Sequence, residues 1–379
     1  MLRALDGTRP TGQCPVVVGI IPLAFAVVVD AGLPAARPDS SLGVGAALRF
    51  LSKATEHRDD AAAIVNGLFG DKLDEGVSRW STPMTIRAGD TVVARNGRAL
   101  PDALGGLADV GPRICVLVHG LMSTESIWRF PDAPSTTYGR LLDDDHGVTV
   151  LSVRYNTGRH ISTNGRELAA LLNHLMSAWP VPVKEINLIG HSMGGLVVRS
   201  ACHYARYVRP LGRRFPIGRR WTSRVRRVVL IGVPNTGARL EALVNSASAA
   251  LWSMPIPATR LVGLGLDQRS AGIKDLRFGA LLDEDWLEQD PSGRHRTFLH
   301  RPQRLRRADH LVIAGTVTGD PEHPLARWIG DALVTSPSAS GRSTDGELFR
   351  GATVRTFPGI THNSLAHHHE VYDAITAWW

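Results

Sequence analysis

A short glycine-flanked serine motif constrains this chain more than any other stretch. The apolar end of a strand, residues 186–189, runs directly into Gly190-His191-Ser192-Met193-Gly194, and a helical pattern follows at once. A serine between a strand and a helix requires a very tight turn, with glycine at 190 and 194, where a Cβ would collide with its neighbours. The turn exposes the Ser192 Oγ and leaves the Met193 N–H free at a helix start. Ser192 is therefore a candidate nucleophile, and the Met193 N–H is a candidate oxyanion donor.

Apolar runs on both sides of this motif predict an α/β fold with a doubly wound, mostly parallel sheet. Helical patterns alternate with the runs, an order that requires helical crossovers between parallel strands. One helix is predicted from a capping pair, Asn164 and Glu167, to Trp179, where Pro180 stops it. The predicted strands are residues 114–118, 148–153, 186–189, 228–231, 311–314 and 353–357, and an amphipathic helix closes the chain.

The first of these strands ends in a second motif, His119-Gly120-Leu121. The loop after this strand can aim the Leu121 N–H at the same point as the N–H that follows the serine. Leu121 is therefore the second candidate oxyanion donor. His119 and His191 flank the two loops, and we expect them to shape the loops rather than act as bases.

A serine nucleophile needs a base, and the base needs an acid that fixes its tautomer. His362 follows the last predicted strand and is the candidate base. Asp331 and Asp320 both follow the strand that ends near residue 314. Asp331 is preferred because a small residue and an apolar pair follow it, whereas Asp320 lies in a proline-containing turn.

A run of three histidines, residues 367–369, is interpreted as a solvated helix start, with a metal cluster as the weaker alternative. Nothing in the sequence indicates a metal or an organic cofactor.

The chain divides into three predicted regions. Residues 1–35 contain an apolar segment, 16–29, that is shorter than a membrane helix requires and is compatible with a signal peptide. Export or peripheral membrane association and a cytoplasmic location both remain open. Residues 36–111 predict two helices, ending near residue 70, and a hairpin around Asn96-Gly97. Residues 112–379 form the catalytic domain, and its strand-free stretch at about 240–300 is a candidate lid.

The charge of the chain does not by itself identify a partner. The formal net charge is +8, and only four of the 43 basic residues are lysines, a bias that codon composition can produce. Arginine is densest in segment 209–227, which is interpreted as a solvated loop, with a surface for phosphate or lipid headgroups as the alternative. No specific nucleic-acid partner is expected.

At these residues the chain resembles the α/β-hydrolase superfamily, and in particular its lipase-type and GPI inositol-deacylase-like branch. The shared features are a strand ending in His-Gly, the Gly-His-Ser-Met-Gly-Gly elbow, a Gly-x-Pro-x-x-Gly-Ala segment at 232–238 and a Gly-Ile-x-His close. The resemblance covers about residues 112–379. It implies hydrolysis of carboxylic esters without a cofactor, with Asp331 orienting His362. One departure is Ala332, which stands where lipase-type acid turns usually carry glycine.

Several functions fit this pattern. The leading hypothesis is an esterase or lipase acting on a small-molecule or lipid ester. A thioesterase, an amidase or a polyester depolymerase would use the same three residues. A non-catalytic binding protein that docks through segment 209–227 is the alternative from another class. The sequence leaves the acyl group and the oligomeric state open.

Overall fold

The computed structural model describes most of the predicted catalytic domain and part of the region before it. The described residues are 58–76, 81–107, 110–207, 221–238, 270–287, 300–302, 304–316, 334, 336–339, 341–343 and 346–379. Several predicted features lie outside these residues: the apolar segment 16–29, the first N-terminal helix, residues 209–220 of the arginine-rich segment, most of the candidate lid, and both Asp320 and Asp331.

A nine-stranded sheet forms the centre of the fold. Its strand order is β11-β8-β7-β6-β4-β5-β1-β2-β3, and the strands from β11 to β5 run parallel to their neighbours. The strands of this sheet are β1 (Thr85–Ala88), β2 (Thr91–Arg95), β3 (Arg98–Ala99), β4 (Arg113–Val118), β5 (Thr149–Arg154), β6 (Glu185–His191), β7 (Val225–Ile231), β8 (Asp309–Thr316) and β11 (Thr353–Pro358); β9 (Arg342–Ser343) and β10 (Gly346–Glu347) form a separate pair. The predicted mostly parallel, doubly wound sheet is confirmed.

Helices cover both faces of the sheet. The α-helices are α1 (Arg58–Gly76), α2 (Pro101–Gly105), α3 (Tyr138–His146), α4 (Ile161–Ala178), α5 (Met193–Tyr207), α6 (Ala271–Phe278), α7 (Ser336–Ala339) and α8 (His369–Trp378). Apolar residues of α1, α4 and α5 pack in one buried cluster with one face of the sheet. Residues of α3 and α8 pack in a second cluster on the other face. The strands β4 and β6 carry apolar side chains into both clusters, which explains their continuous apolar sequence.

The start of α4 corrects the sequence prediction. The helix begins at Ile161, and Asn164 lies inside it, where its side chain donates to the Asn156 carbonyl at 2.9 Å instead of capping. The cap comes from a distant part of the chain, because the buried Asp275 carboxylate accepts the Ile161 N–H at 3.0 Å. A carboxylate at a helix N-terminus satisfies a free N–H and the helix dipole together. The predicted end at Pro180 is confirmed.

The region before β4 packs directly on the parallel sheet and its loops. The predicted turn at Asn96-Gly97 is confirmed between β2 and β3, and β1 continues the sheet by pairing antiparallel with β5. Helix α1 does not end near residue 70 as predicted but continues to Gly76. A Cβ on Gly158, in the loop after β5, would lie 2.6 Å from the Gly70 N atom. Helix α1 therefore touches the edge of the sheet where the parallel strands end.

Within the described residues, no helix is both long and apolar enough to span a bilayer.

Candidate active site

Ser192 occupies a strained turn between β6 and α5. Its φ angle is +53°, in the left-handed region that non-glycine residues adopt rarely and at a cost in free energy. The surrounding backbone holds this conformation: the Ser192 N–H donates to the Ile231 carbonyl at 2.8 Å, and the Gly195 N–H donates to the Ser192 carbonyl at 3.1 Å. A strained residue persists only where its surroundings over-determine it, and such residues cluster at active sites.

Gly190 and Gly194 are required by close approach. A Cβ on Gly190 would lie 2.6 Å from the Gly195 Cα, and a Cβ on Gly194 would overlap the Val118 carbonyl oxygen. The helix after the serine can therefore press against the ends of β4 and β6 only when both positions lack a side chain. This close approach is the reason for glycine at both positions, as the sequence pattern predicted.

The loop after β4 lies in front of the serine. A Cβ on Gly120 would lie 3.0 Å from the Ser192 Cβ, so the backbone of this loop passes directly beside the nucleophile. Leu121 follows Gly120, and Met193 is the first residue of α5, where a backbone N–H has no acceptor within its helix. Both candidate oxyanion donors are thus in chain segments that adjoin Ser192.

Two residues outside the motifs, Thr157 and Gly67, contact this loop through Met122. Met122 has a φ angle of +55°, and its N–H donates to the Thr157 Oγ1 at 3.2 Å. Its side chain packs so closely against Gly67 of α1 that a Cβ there would overlap the Met122 Cγ. Sequence reasoning missed both contacts, although Asn156-Thr157-Gly158 after a buried strand is a signal for a functional loop.

His119 is a structural part of the same loop. Its ring is fully buried, stacks on Tyr155 with 4.6 Å between ring centroids, and bonds through Nδ1 to the Gly120 carbonyl at 2.9 Å. The Tyr155 hydroxyl donates to the His119 carbonyl at 2.8 Å. Burial lowers the pKa of His119 to about 4, so the ring is neutral near pH 7.

His362 follows β11 on a loop that turns back towards the serine. The loop begins at Gly359, with a φ angle of +75°, and is anchored by the buried side chains of Ile360 and Leu365. The His362 ring lies against Gly232, where a Cβ would be 3.2 Å from its Cε1. Ser192 and His362 are 3% and 5% exposed, so both are nearly enclosed.

His191 connects the serine turn to this loop. Its Nε2 lies 3.0 Å from the His362 carbonyl oxygen, and the two ring centroids are 5.0 Å apart. Burial, followed by the nearby His362, lowers the pKa of His191 well below its usual value, so the ring is neutral and Nε2–H donates to the carbonyl. The residue before Ser192 thereby positions the backbone of His362. The sequence predicted a loop-shaping role for His191 but not this partner.

The remaining predicted residues divide into two groups. Asp331 and Asp320 lie outside the described residues. His367 and His369 take part in packing: His367 Nδ1 bonds to the Ile127 carbonyl at 3.1 Å, and His369 pairs with Asp132 at 3.0 Å. Within the part of the chain that the structure describes, no group of three or more metal-binding side chains is found.

Comparison with known proteins agrees with this architecture. The sequence profile of the Alpha/beta hydrolase family matches residues 115–374, which is well over half of the chain. No curated protein matches the chain.

Solved structures that match the chain include the following three, all of low sequence identity. The mature Bacillus licheniformis lipase BlEst2 is 19% identical, covers 72% of this chain and 93% of its own, and has a TM-score of 0.44. The carboxylesterase CesB of Bacillus subtilis is 14% identical, covers 82% and 97%, and has a TM-score of 0.40. The esterase RhEst1 of Rhodococcus sp. ECU1013 is 16% identical, covers 71% and 91%, and has a TM-score of 0.39. The family profile, the order of the sheet and the serine turn together lead to one conclusion: this chain belongs to the alpha/beta hydrolase family.

Proposed function

We propose that this chain is a serine hydrolase of carboxylic esters, with Ser192 as nucleophile and His362 as general base. The observation that carries the proposal is the strained serine turn, at φ +53°, linked by the His191 hydrogen bond to the loop that bears His362. Nucleophilic catalysis requires an exposed-edge serine turn and a histidine on another loop that the fold can bring to it, and the His191 bond joins these two segments.

The reaction proceeds in two half-reactions. His362 takes the Ser192 Oγ proton as Oγ attacks the ester carbonyl, and the Leu121 and Met193 N–H groups stabilise the negative oxygen of the tetrahedral intermediate. The protonated His362 then gives its proton to the leaving alcohol, which departs and leaves an acyl group on Ser192. A water molecule activated by His362 attacks the acyl carbon, and the serine is restored as the acid leaves.

The third member of the triad is proposed from chain order. Asp331 orients His362 and stabilises its protonated form, with Asp320 as the alternative acid. Isosteric variants distinguish the two candidate acids. Asp331→Asn is expected to lower kcat by three or more orders of magnitude, because an asparagine in this role favours the wrong histidine tautomer. Asp320→Asn is the matched control, and the reverse result would assign the acid to Asp320.

The other two histidines near the serine do not compete for this role. Burial lowers the pKa values of both His119 and His191, so neither ring takes up a proton readily near pH 7. One ring nitrogen of each also bonds to a backbone carbonyl, that of Gly120 for His119 and that of His362 for His191. His362 therefore remains the base in the proposal.

The test combines turnover with covalent labelling. We expect the wild type to hydrolyse p-nitrophenyl esters and to react with a fluorophosphonate probe, and we expect Ser192→Ala to abolish both. His362→Ala should lose turnover and most of the labelling while keeping the wild-type circular dichroism spectrum. A series of acyl chain lengths distinguishes a small-molecule esterase from a lipase, and matched thioester and anilide substrates test the thioesterase and amidase alternatives. Folded wild type without turnover or labelling would refute the proposal and favour a non-catalytic binding role.

A further inference from the structure

A buried arginine, Arg199, lies on α5, away from the serine. Arg199 is seven residues beyond Ser192 on this helix, about 10 Å along the axis at the usual rise per residue. Its side chain is only 9% exposed and lines a pocket between α5, β7 and the residues Pro302, Arg304 and Leu305. Buried arginines are rare unless a carboxylate or another anion compensates the charge.

The partners of Arg199 within the structure are neutral. Nη1 donates to the Asn235 Oδ1 at 3.0 Å, and the guanidinium carbon lies 5.1 Å from the centroid of the Phe349 ring. Asn235 is held in this orientation because its Nδ2 donates to the carbonyls of Val233 and Ala339 at 3.1 and 3.0 Å. The amide therefore presents its oxygen to the guanidinium, but it supplies no negative charge.

The surroundings add positive charge rather than compensating it. Arg304 also lines the pocket, and the described residues that line it include no aspartate or glutamate. Burial, followed by the charge of Arg301, lowers the pKa of Arg199 to about 10, so the side chain remains protonated at pH 7. Among the described residues, the site therefore holds a buried positive charge beside an open space without a carboxylate partner, and a buried charge is unfavourable unless it is paired.

The pocket has room for part of a small anion beside Arg199. Its volume is about 20 Å³, and it is partly open to solvent. This space accommodates one or two groups the size of a water molecule, which is enough for the oxygens at one end of a small oxyanion. A guanidinium presents its N–H donors in a planar fork that matches phosphate and carboxylate oxygens.

We propose that this pocket binds a phosphate group, held between the Arg199 guanidinium and Arg304. A dianion suits the site better than a single carboxylate because two arginines, Arg199 and Arg304, line the pocket. The phosphate is either inorganic phosphate or the end of a small phosphate monoester. This site is separate from the proposed ester hydrolysis, so its test does not depend on catalytic activity.

The experiment measures thermal unfolding of the full chain by tryptophan fluorescence at constant ionic strength. Sodium chloride is replaced stepwise by sodium phosphate, up to tens of millimolar phosphate. A ligand that binds only the folded state raises Tm with the logarithm of its concentration, and we expect this for the wild type. Arg199→Gln should remove the increase or raise the apparent Kd by at least about tenfold, the effect of losing a charge-assisted hydrogen bond.

Two further variants keep the test decisive. Arg304 is half-buried and lines the pocket, so Arg304→Gln is expected to weaken phosphate binding by about tenfold. This variant tests the site independently if Arg199→Gln does not fold. Arg140→Gln is the matched control, because Arg140 is an exposed arginine of α3 that pairs only with Asp144, among the described residues, and it should retain the wild-type increase. An equal increase in wild type and both pocket variants would place phosphate elsewhere and refute the proposal.

The choice of anion distinguishes the sources of phosphate. Stronger stabilisation by glycerol 3-phosphate than by inorganic phosphate would identify a monoester site, and the reverse would identify a site for free phosphate. Acetate should have little effect. Stabilisation by acetate equal to that by phosphate, or no stabilisation of the wild type beyond that of chloride, would contradict a phosphate site.

Discussion

Replacing His191 with phenylalanine tests whether the residue before the nucleophile positions the proposed base. The His191 ring is 1% exposed and packs edge-on against Trp128, with 6.4 Å between centroids. Phenylalanine keeps a planar ring of similar size at this place. The variant His191→Phe therefore removes one interaction in particular, the 3.0 Å hydrogen bond from Nε2 to the His362 carbonyl.

The expected magnitude follows from the burial of that bond. A buried carbonyl left without its donor costs about 1–3 kcal/mol of stability. A domain of this size class loses about 2–4 °C of Tm per kcal/mol. The decrease in Tm should therefore lie between a few degrees and about 10 °C. If the same bond holds the His362 loop in its reactive position, a displacement worth about 1–2 kcal/mol in the transition state lowers kcat by about 5–30-fold.

The assay compares kcat and KM for p-nitrophenyl ester hydrolysis with Tm measured on the same samples. The matched control is Trp221→Phe, because the fully buried Trp221 ring also donates to a backbone carbonyl, that of Ala169, at 3.2 Å. Trp221 lies just before β7, at the opposite end of the parallel strands from Ser192. Both variants should lose stability, but only His191→Phe should lose kcat, at an almost unchanged KM. Equal losses of kcat in the two variants, or no loss in His191→Phe, would refute the positioning role.

Three further predictions concern stability. Burial lowers the pKa values of His119 and His310 to about 4 each, so these side chains bind protons more readily in the unfolded chain. The free energy of unfolding should therefore fall as the pH drops from about 6.5 towards 4. Urea titrations at stepped pH measure this, and a constant stability would contradict the prediction. Gly158→Ala should cost more than about 2 kcal/mol because its Cβ meets the backbone of α1, whereas Gly105→Ala, with open space around it, should be neutral or stabilising in the same denaturant assay. Asp275→Asn should destabilise the chain by about 1–3 kcal/mol, because the cap of α4 loses its charge, and an unchanged thermal melt would show that the cap contributes nothing.

Much of the fold could be predicted from the sequence because its determinants are local. The parallel strands carry continuous apolar runs, and a run such as Ile114–Val118 is stable only when both faces of its sheet are covered. The turn at Asn96-Gly97 and the end of α4 before Pro180 follow from backbone preferences of single residues. The serine turn was predictable for the same reason, since glycine at positions 190 and 194 indicates close approach of the backbone there.

Predictions failed where one segment is completed by another. The start of α4 was misplaced because its cap is Asp275, more than a hundred residues further along the chain. The end of α1 was misplaced because its last turns are stabilised by tertiary contacts, including the hydrogen bond from the Ala271 N–H to the Asp71 carboxylate at 3.0 Å. Local capping signals cannot show a partner that reaches the helix only after folding.

The sequence by itself determined the residue types of the candidate site: a serine that only a glycine-flanked turn can expose, and a histidine after the last strand. Only the tertiary structure decided what holds them. The hydrogen bond from His191 to His362 and the packing of Met122 on Gly67 join segments far apart in the chain. The pairing of Arg199 with the neutral amide of Asn235 could likewise not be predicted from the sequence. The physical reason is that turn geometry depends on neighbouring residues, whereas the compensation of a buried charge or carbonyl depends on whichever groups the fold brings within hydrogen-bonding distance.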